Sequence, residues 1–506
     1  MMDIPRPLTM VRWLTGYRSV FQLTLAVCAA GMLSGCNLAP DYQRPESPVT
    51  TQWPTMPRVT YDELANLSTL AQQPASAVAA ESRSGAEIGW RDVFMDPRLQ
   101  ALIQTGLDNN RDLRIAVARV EQARAQYGVQ RGELFPQIGA GIQGTRQRIP
   151  SDLTMFGPDG GTLSSQAQAS IGLTSFEIDL FGRLRNLTEA ARQNYLATEE
   201  NARTVHLTVV SEVANAYFQL RSADHLLELV EQTLQSRKDS LDLVTRRFEA
   251  GVSSELDVNQ AKTLLDSASA DLASFSRQRA QALNLLVFLI GQPLPESLPE
   301  PAPFVRDQVL TGIPVGLPSD LLARRPDIRA AENALLAANA NIGAARAAFF
   351  PTINLTGVFG TASQSLGGLF KPGSTAWAFT PALSVPIFTG GSLQSQLDVA
   401  NAANRAAVAQ YERTIQLAFR EVADTLAGEA TYTSQIDAAR AQELAAGKTL
   451  ELSNLRYAAG IDSYLQVQTA QVEYFTAQKR LVQARFNALA NRVEFYKAIG
   501  GGWIEK

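Results

Sequence analysis

Residues 246–272 read RRFEAGVSSELDVNQAKTLLDSASADL, and residues 455–481 read LRYAAGIDSYLQVQTAQVEYFTAQKRL. Phe248, Gly251, Ser254, Leu256, Val258 and Ala261 in the first stretch fall opposite Tyr457, Gly460, Ser463, Leu465, Val467 and Ala470 in the second, at a constant offset of about 209 residues. So many matches at one spacing mark an internal duplication. Working outward, each copy has a Phe-Pro step, Phe135-Pro136 or Phe350-Pro351, ahead of an alternating segment. A second step closes that segment, Leu180-Phe181-Gly182 in one copy and Ile387-Phe388-Thr389-Gly390 in the other. Each unit therefore reads helix, hairpin, long helix, turn, helix.

The long helices carry the most information. Residues 183–250 contain neither Gly nor Pro, and residues 392–459 contain no Pro and only Gly428 and Gly447. At 1.5 Å per residue each would run about 100 Å unbroken, far beyond a common globular helix. Leu227, Val230, Leu234, Leu241, Val244 and Phe248 keep heptad spacing, interrupted by Arg237. Leu465, Val472, Phe475, Val482, Phe486, Val493 and Tyr496 do the same after the second turn, so coiled-coil packing is expected. The returning helices, 254–290 and 463–499, are about half as long. Helices at 96–130 and 319–348 are expected to cover the rest of the long pair.

Between helices the period falls to two. Ile353, Leu355 and Phe359 alternate with Thr352, Asn354 and Thr356, and Trp377, Phe379, Pro381, Leu383, Val385 and Ile387 alternate with small or hydroxyl residues. In the first unit Ile138, Ala140 and Ile142 form one apolar set, and Ala167, Ile171 and Leu173 another. The phase slips near Ser175, because Phe176, Ile178 and Leu180 continue the apolar side, which predicts a bulge. The hairpin tips, 150–165 and 363–374, are rich in Gly, Pro and Ser. Four strands split by such helices suit a soluble sandwich poorly. They cannot close a barrel alone either, and open edges in lipid leave backbone groups unpaired. Two, three or four copies would each supply an even strand number.

Arg6, Arg12 and Arg18 precede an apolar run over residues 20–33 that ends Leu33-Ser34-Gly35-Cys36, the pattern of a lipoprotein signal with lipidation at Cys36. A run of about 15 apolar residues is short for a transmembrane anchor. Cys28 would leave with the signal, so no disulfide is expected in the mature chain. Asn37 after the cysteine suits transport onward to the outer membrane. The 506 residues, 45% hydrophobic and 19% charged with net charge -4, describe a folded protein with no basic patch for nucleic acid. The strongest later apolar run, LNLLVFLI at 283–290, reads as a buried helix end.

Enzyme chemistry finds no support. His206 and His225 are the only histidines, 19 residues apart on one predicted helix, about 100° apart around its axis and nearly 30 Å along it. No phosphate loop, nucleophile elbow or Cys/His cluster occurs. Glu177 and Asp179 could mimic a carboxylate pair but read more simply as a polar strand face. No cofactor and no metal are expected.

Together the lipobox with Cys36-Asn37-Leu38-Ala39-Pro40-Asp41-Tyr42, the paired Gly-x-x-Ser-x-Leu turns and the Phe-Pro and Ile-Phe-Thr-Gly steps resemble the outer-membrane factors of tripartite efflux systems. The likeness is to the OprM/NodT lipoprotein branch, with TolC more distant. It implies an α+β, TolC-like homotrimer: four strands per chain, twelve in the barrel, continuous with a long periplasmic α-helical barrel. The expected divisions are signal 1–35, extended equatorial segment 36–95, repeat one 96–290 with hairpin 137–182 and tip 251–257, and Pro-rich connector 291–318. Repeat two is 319–500 with hairpin 352–390 and tip 460–466, and 501–506 form a tail.

The resemblance also implies partners and roles. A periplasmic adaptor protein would dock on the tips at Arg247, Gly251, Val252, Ser254 and Leu256, and at Tyr457, Gly460, Ser463 and Leu465. An inner-membrane pump of the RND type would supply the energy, and outer-membrane lipid would surround the barrel. Leu256 and Leu465 equally suit packing between helices. Asp462 would form the channel gate, three carboxylates in one ring that repel and resist deprotonation. Gln466 and Thr469 stand where more distant chains place further aspartates, so one anionic constriction is expected, not two. The implied function is the exit duct for drugs or toxic organic compounds. A type I protein-secretion duct and a non-conducting periplasmic coiled-coil lipoprotein are the alternatives.

Overall fold

The structure is a computed structural model, which describes residues 37–54, 88–150, 162–304, 309–310, 313 and 318–501. Cys36 and the signal lie outside the described residues, as does part of the 291–318 connector. The chain divides into two compact units. Of the described residues, those within 37–45, 121–197 and 332–410 form one, and those within 46–120, 198–331 and 411–501 form the other.

Helices α1 (Trp90–Val93), α2 (Pro97–Asn109) and α3 (Arg111–Gly132) lead into strands β1 (Ile138–Ile149) and β2 (Thr162–Ile178). Helices α4 (Arg183–Glu249) and α5 (Glu255–Ile290) complete the first repeat. The second repeats the order with α6 (Pro318–Arg324), α7 (Pro326–Ala347), β3 (Thr352–Ser363), β4 (Thr375–Ser384), α8 (Ser392–Ala458) and α9 (Tyr464–Ala498). Both long helices have 67 residues. Each gives its first turns to the sheet-bearing unit and its remainder to the other.

The sheet-bearing unit is an antiparallel meander in the order β1-β2-β3-β4, with β1 and β4 as its edges. Register carries the apolar residues into continuous cross-strand rows. Ala140 faces Ile171, Ile171 faces Phe359, and Phe359 faces Trp377. Further along, Ile178 faces Ile353 and Ile353 faces Leu383. The register shifts between Leu173 and Phe176, where Ser175 takes φ 111°, so the bulge lies where the apolar phase slips. Phe181, from the step that closes the first alternating segment, stacks on Phe350, from the step that opens the second, at 4.6 Å, while Phe135 and Phe388 stay exposed. Glu177 and Asp179 pair with Arg183 and Arg185, a strand-end salt-bridge cluster with no spare carboxylate.

A strap of residues 38–44 is pinned along α7 in this unit. Arg346 donates to the Leu38 carbonyl at 3.2 Å, Asn339 to the Pro40 carbonyl at 2.8 Å, and Tyr42 and Arg44 to the Glu332 carboxylate. Gly343 permits the crossing, since a Cβ there would lie 2.7 Å from both the Ala39 nitrogen and Asn186 Nδ2.

In the helical unit the core gathers Trp90, Val93, Phe94, Leu99, Leu102 and Ile103 with Val213, Tyr217, Ile290 and Tyr496. Buried Asp96 caps α2 by accepting from the Arg98 amide and from the Tyr217 hydroxyl at 2.5 Å. The expected helix 96–130 is two helices. Asn110 breaks it, its Oδ1 capping α3 at the Leu113 amide while Nδ2 donates to the Leu289 carbonyl. The expected helix 319–348 breaks at Arg325-Pro326, and buried Arg325 donates to the Ala498 carbonyl at 2.7 Å and to Asp327 and Glu421. Different side chains thus close the end of the returning helix in both repeats. The 283–290 run buries Leu286, Leu289 and Ile290 but leaves Phe288 exposed.

Candidate functional site: the helix-reversal tips

Both reversals use the same backbone device. Past α4, the Gly251 amide donates to the Phe248 carbonyl and the Val252 amide to the Arg247 carbonyl, with Gly251 at φ 73°. Past α8, the Gly460 amide donates to Tyr457 and the Ile461 amide to Arg456, with Gly460 at φ 74°. Glycine supplies this left-handed conformation without steric cost. Ser254 then caps α5 in a reciprocal box with Asp257, whose carboxylate also accepts from the Ser253 hydroxyl at 2.8 Å. Burial opposes ionisation of Asp257, yet these donors and Arg247 outweigh it and hold the carboxyl below its ordinary range. Ser463 caps α9 through geometry alone, for its hydroxyl makes no cap bond.

The equivalent arginines of the two tips have diverged. Arg456 grips Asp462 with two bonds, Nε at 2.6 Å and Nη2 at 3.0 Å. Arg247 instead lies over the Tyr457 ring at 4.6 Å. The hydrogen bond from Arg456 is the main reason that the Asp462 carboxyl lies below the usual carboxylate range. Within the protomer this reverses the expected resistance to deprotonation, because an opposite charge sits closer than any like one.

Among the expected docking residues, Val252, Leu256 and Leu465 are exposed by 65%, 64% and 51%, so the protomer does not bury these leucines between its helices. Tyr457 corrects the expectation. It is 7% exposed and packs with Val244, Ala261, Tyr464 and Val467, the cluster through which the two tips join. The equivalent Phe248 stays 43% exposed, so it is the packing at the second tip that turns Tyr457 inward, where its ring carries Arg247 on its face. Among the described residues, the buried Tyr457 and Tyr464 hydroxyls and Arg247 Nε find no hydrogen-bond partner. Burial, with Tyr457 alongside, pushes the Tyr464 phenol up to about 12.

Arg237, the break in the heptad pattern, is a further buried residue that the pattern hid. It occupies the seam at 4% exposure, donates to the Leu264 carbonyl at 2.7 Å and lies over the Phe475 ring. His225 packs against Phe304 with the rings tilted and 5.1 Å apart, and burial lowers its affinity for protons. Among the described residues no group of His, Cys, Asp and Glu is arranged to hold a metal ion, and no helix is long and apolar enough to cross a membrane.

Residues 102–292 and 317–501, most of both repeats, match the outer membrane efflux protein family. The chain belongs to that family. This efflux protein is 44% identical over 484 residues to the toluene efflux pump outer membrane protein TtgC of Pseudomonas putida, covering 96% of each chain. It is 40% identical to the outer membrane protein OprJ of Pseudomonas aeruginosa, over 95% of this chain and 96% of that one. The open-state outer membrane channel MtrE of Neisseria gonorrhoeae superposes with TM-score 0.80 at 38% identity, over 92% of this chain and 98% of that one. CusC superposes with TM-score 0.78 at 37% identity, over 92% of this chain and 100% of that one. The efflux protein thus has the α+β, TolC-like fold and belongs to the outer membrane, in a family of efflux channels rather than of enzymes.

Proposed function

We propose that the chain is the exit duct of a tripartite efflux pump, working as a homotrimer that twelve strands close into one barrel. The observation that carries this reading is the four-stranded sheet itself, with its in-register apolar face and two open edges. An edge in hydrocarbon costs several kcal/mol per unpaired group, so further copies must pair with it. The names of similar channels, which include toluene, solvent and antibiotic efflux, support hydrophobic organic compounds as cargo. Lipidation at Cys36 would anchor the chain. A periplasmic adaptor would dock on the exposed tip residues Val252, Leu256 and Leu465, with Gly251, Ser254, Gly460 and Ser463 shaping the turns and Arg247 set by Tyr457. An RND-type inner-membrane pump would drive transport, and Asp462 with its Arg456 would form the gate.

Native mass spectrometry of the detergent-extracted protein and planar-bilayer recording test this together. A trimer that conducts ions is the expected result. A monomer that passes no current overturns the reading, and loss of toluene tolerance on deletion of the gene tests the cargo.

A further inference from the structure

The lipid-facing side of the sheet does not end in neutral residues. On β1 the residues that share the apolar side are Ile138, Ala140, Ile142, Gly144, Arg146 and Arg148, while Gln143 and Gln147 point the other way. Pairing with β2 runs from Ile138 to Ile149 without a shift, so nothing rotates the two arginines off that side. Both are exposed, and among the described residues no carboxylate pairs with either.

A second observation converges on the same place. Gly144 faces Ala167 and Ala167 faces Ser363, one row below Arg146. The β3–β4 turn folds against Ser363, the β3 end of this row, because a Cβ at Gly368 would lie 2.6 Å from Ser363 Oγ. That turn closes with the Lys371 amide bonded to the Gly368 carbonyl, and it exposes Lys371, Phe370 and Leu366. Three cations and two large apolar side chains therefore lie toward the same end of the sheet, Arg146 and Arg148 on β1 and Lys371, Phe370 and Leu366 in the β3–β4 turn.

Depth decides what they meet. Arg146 lies eight residues beyond Ile138, about 27 Å along the strand and about 20 Å along the membrane normal at a tilt near 40°. Two further apolar rows, ending at Ile178, Ile353 and Leu383, add about 10 Å below it. An apolar band is about 25 Å tall, so Arg146 and Arg148 clear the hydrocarbon at the headgroup level. The hairpin ends point away from the helices that enter and leave the sheet, and hence toward the outer leaflet if the helices are periplasmic.

We propose that Arg146, Arg148 and Lys371 bind the phosphates of an anionic saccharolipid of the outer leaflet, with Phe370 and Leu366 against its apolar part. Guanidinium groups bind phosphate through paired N–H donors, and an acyl-bearing phosphate is the one kind that is concentrated at this depth. The proposal rests on the channel reading and deepens it by naming a lipid partner.

The test titrates the purified, detergent-extracted protein with bis-phosphorylated lipid A, read by native mass spectrometry, beside the double variant Arg146→Gln/Arg148→Gln. Each cation beside an anionic lipid surface changes affinity roughly five-fold, so the double variant should bind about 25-fold more weakly. Arg146→Lys/Arg148→Lys, which keeps the charges but loses the paired donors, should fall between wild type and the Gln variant, and Gln143→Ala/Gln147→Ala on the opposite face should keep all of the affinity. Equal binding by wild type and the Gln variant overturns the proposal. So does full competition by inorganic phosphate at equal concentration, which would assign the site to free anions. Bilayer conductance separates the two levels: a conducting wild type that ignores lipid A sinks this site alone, and a protein that never conducts sinks the channel reading beneath it.

Discussion

Asp462 and Arg456 show how little sequence spacing reveals about charge. A lone Asp at the second tip suggests a free carboxylate, whereas the structure gives it a bidentate partner six residues earlier. Its carboxyl is depressed, so the bond is present above the ordinary carboxylate pKa and is lost as pH falls through the lower folded value. Conductance should therefore stay flat from about pH 5 to 8 and change only below the usual carboxylate range. Asp462→Ala should raise single-channel conductance and shift selectivity toward anions, because it removes bulk and leaves Arg456 unbalanced. Unchanged currents and selectivity would discard the gate. The two serine caps offer a sharper contrast. Ser254→Ala should cost about 1 kcal/mol and speed amide exchange in the first turn of α5, while Ser463→Ala, which loses no cap bond, should leave α9 almost untouched. Tyr464→Phe removes a buried hydroxyl without a partner, so its thermal midpoint should match or exceed that of the wild type.

At the scale of elements, the features written into periodicity were legible and those decided by a single contact were not. The long Pro-free runs, with at most two glycines, gave both long helices, the shift of apolar phase gave the Ser175 bulge, and the two Gly-x-x-Ser-x-Leu copies gave the reversals. The break at Arg325 had a visible signal in Pro326, which disfavours helix at the residue before it. Asn110 offered only the general preference of Asn for helix N-caps, and what fixes the break is its reach to the Leu289 carbonyl 179 residues away. Tyr457 was misread for the same reason. A tip position looks exposed until the other tip is known to pack on it. Arg325 ties α7, α8 and the end of α9 together within the helical unit, and its partners Asp327 and Glu421 keep some access to water. Arg325→Ala should then cost about 2–3 kcal/mol, toward the low end for a broken buried pair, seen as a lower thermal midpoint.

For the whole molecule, the apolar sheet face and its open edges make insertion and assembly one problem. Trp377 lies on edge strand β4, in the row it shares with Phe359 and Ile171. Trp377→Arg would place a charge within the apolar band and should cost about 2–4 kcal/mol in unfolding from lipid vesicles, whereas Thr380→Arg on the opposite face should be tolerated. The strap adds an order of events. Tyr42 and its bracket residue Glu332 stand 290 positions apart, so the strap cannot lock until the second repeat has been made and has formed α7. A fatty-acylated Cys36, six residues from Tyr42, would meanwhile already hold the chain at a bilayer. Tethering would come early and seating late, and an unseated leash is what a lipoprotein carrier would need to grasp while it ferries an unfinished subunit across the periplasm.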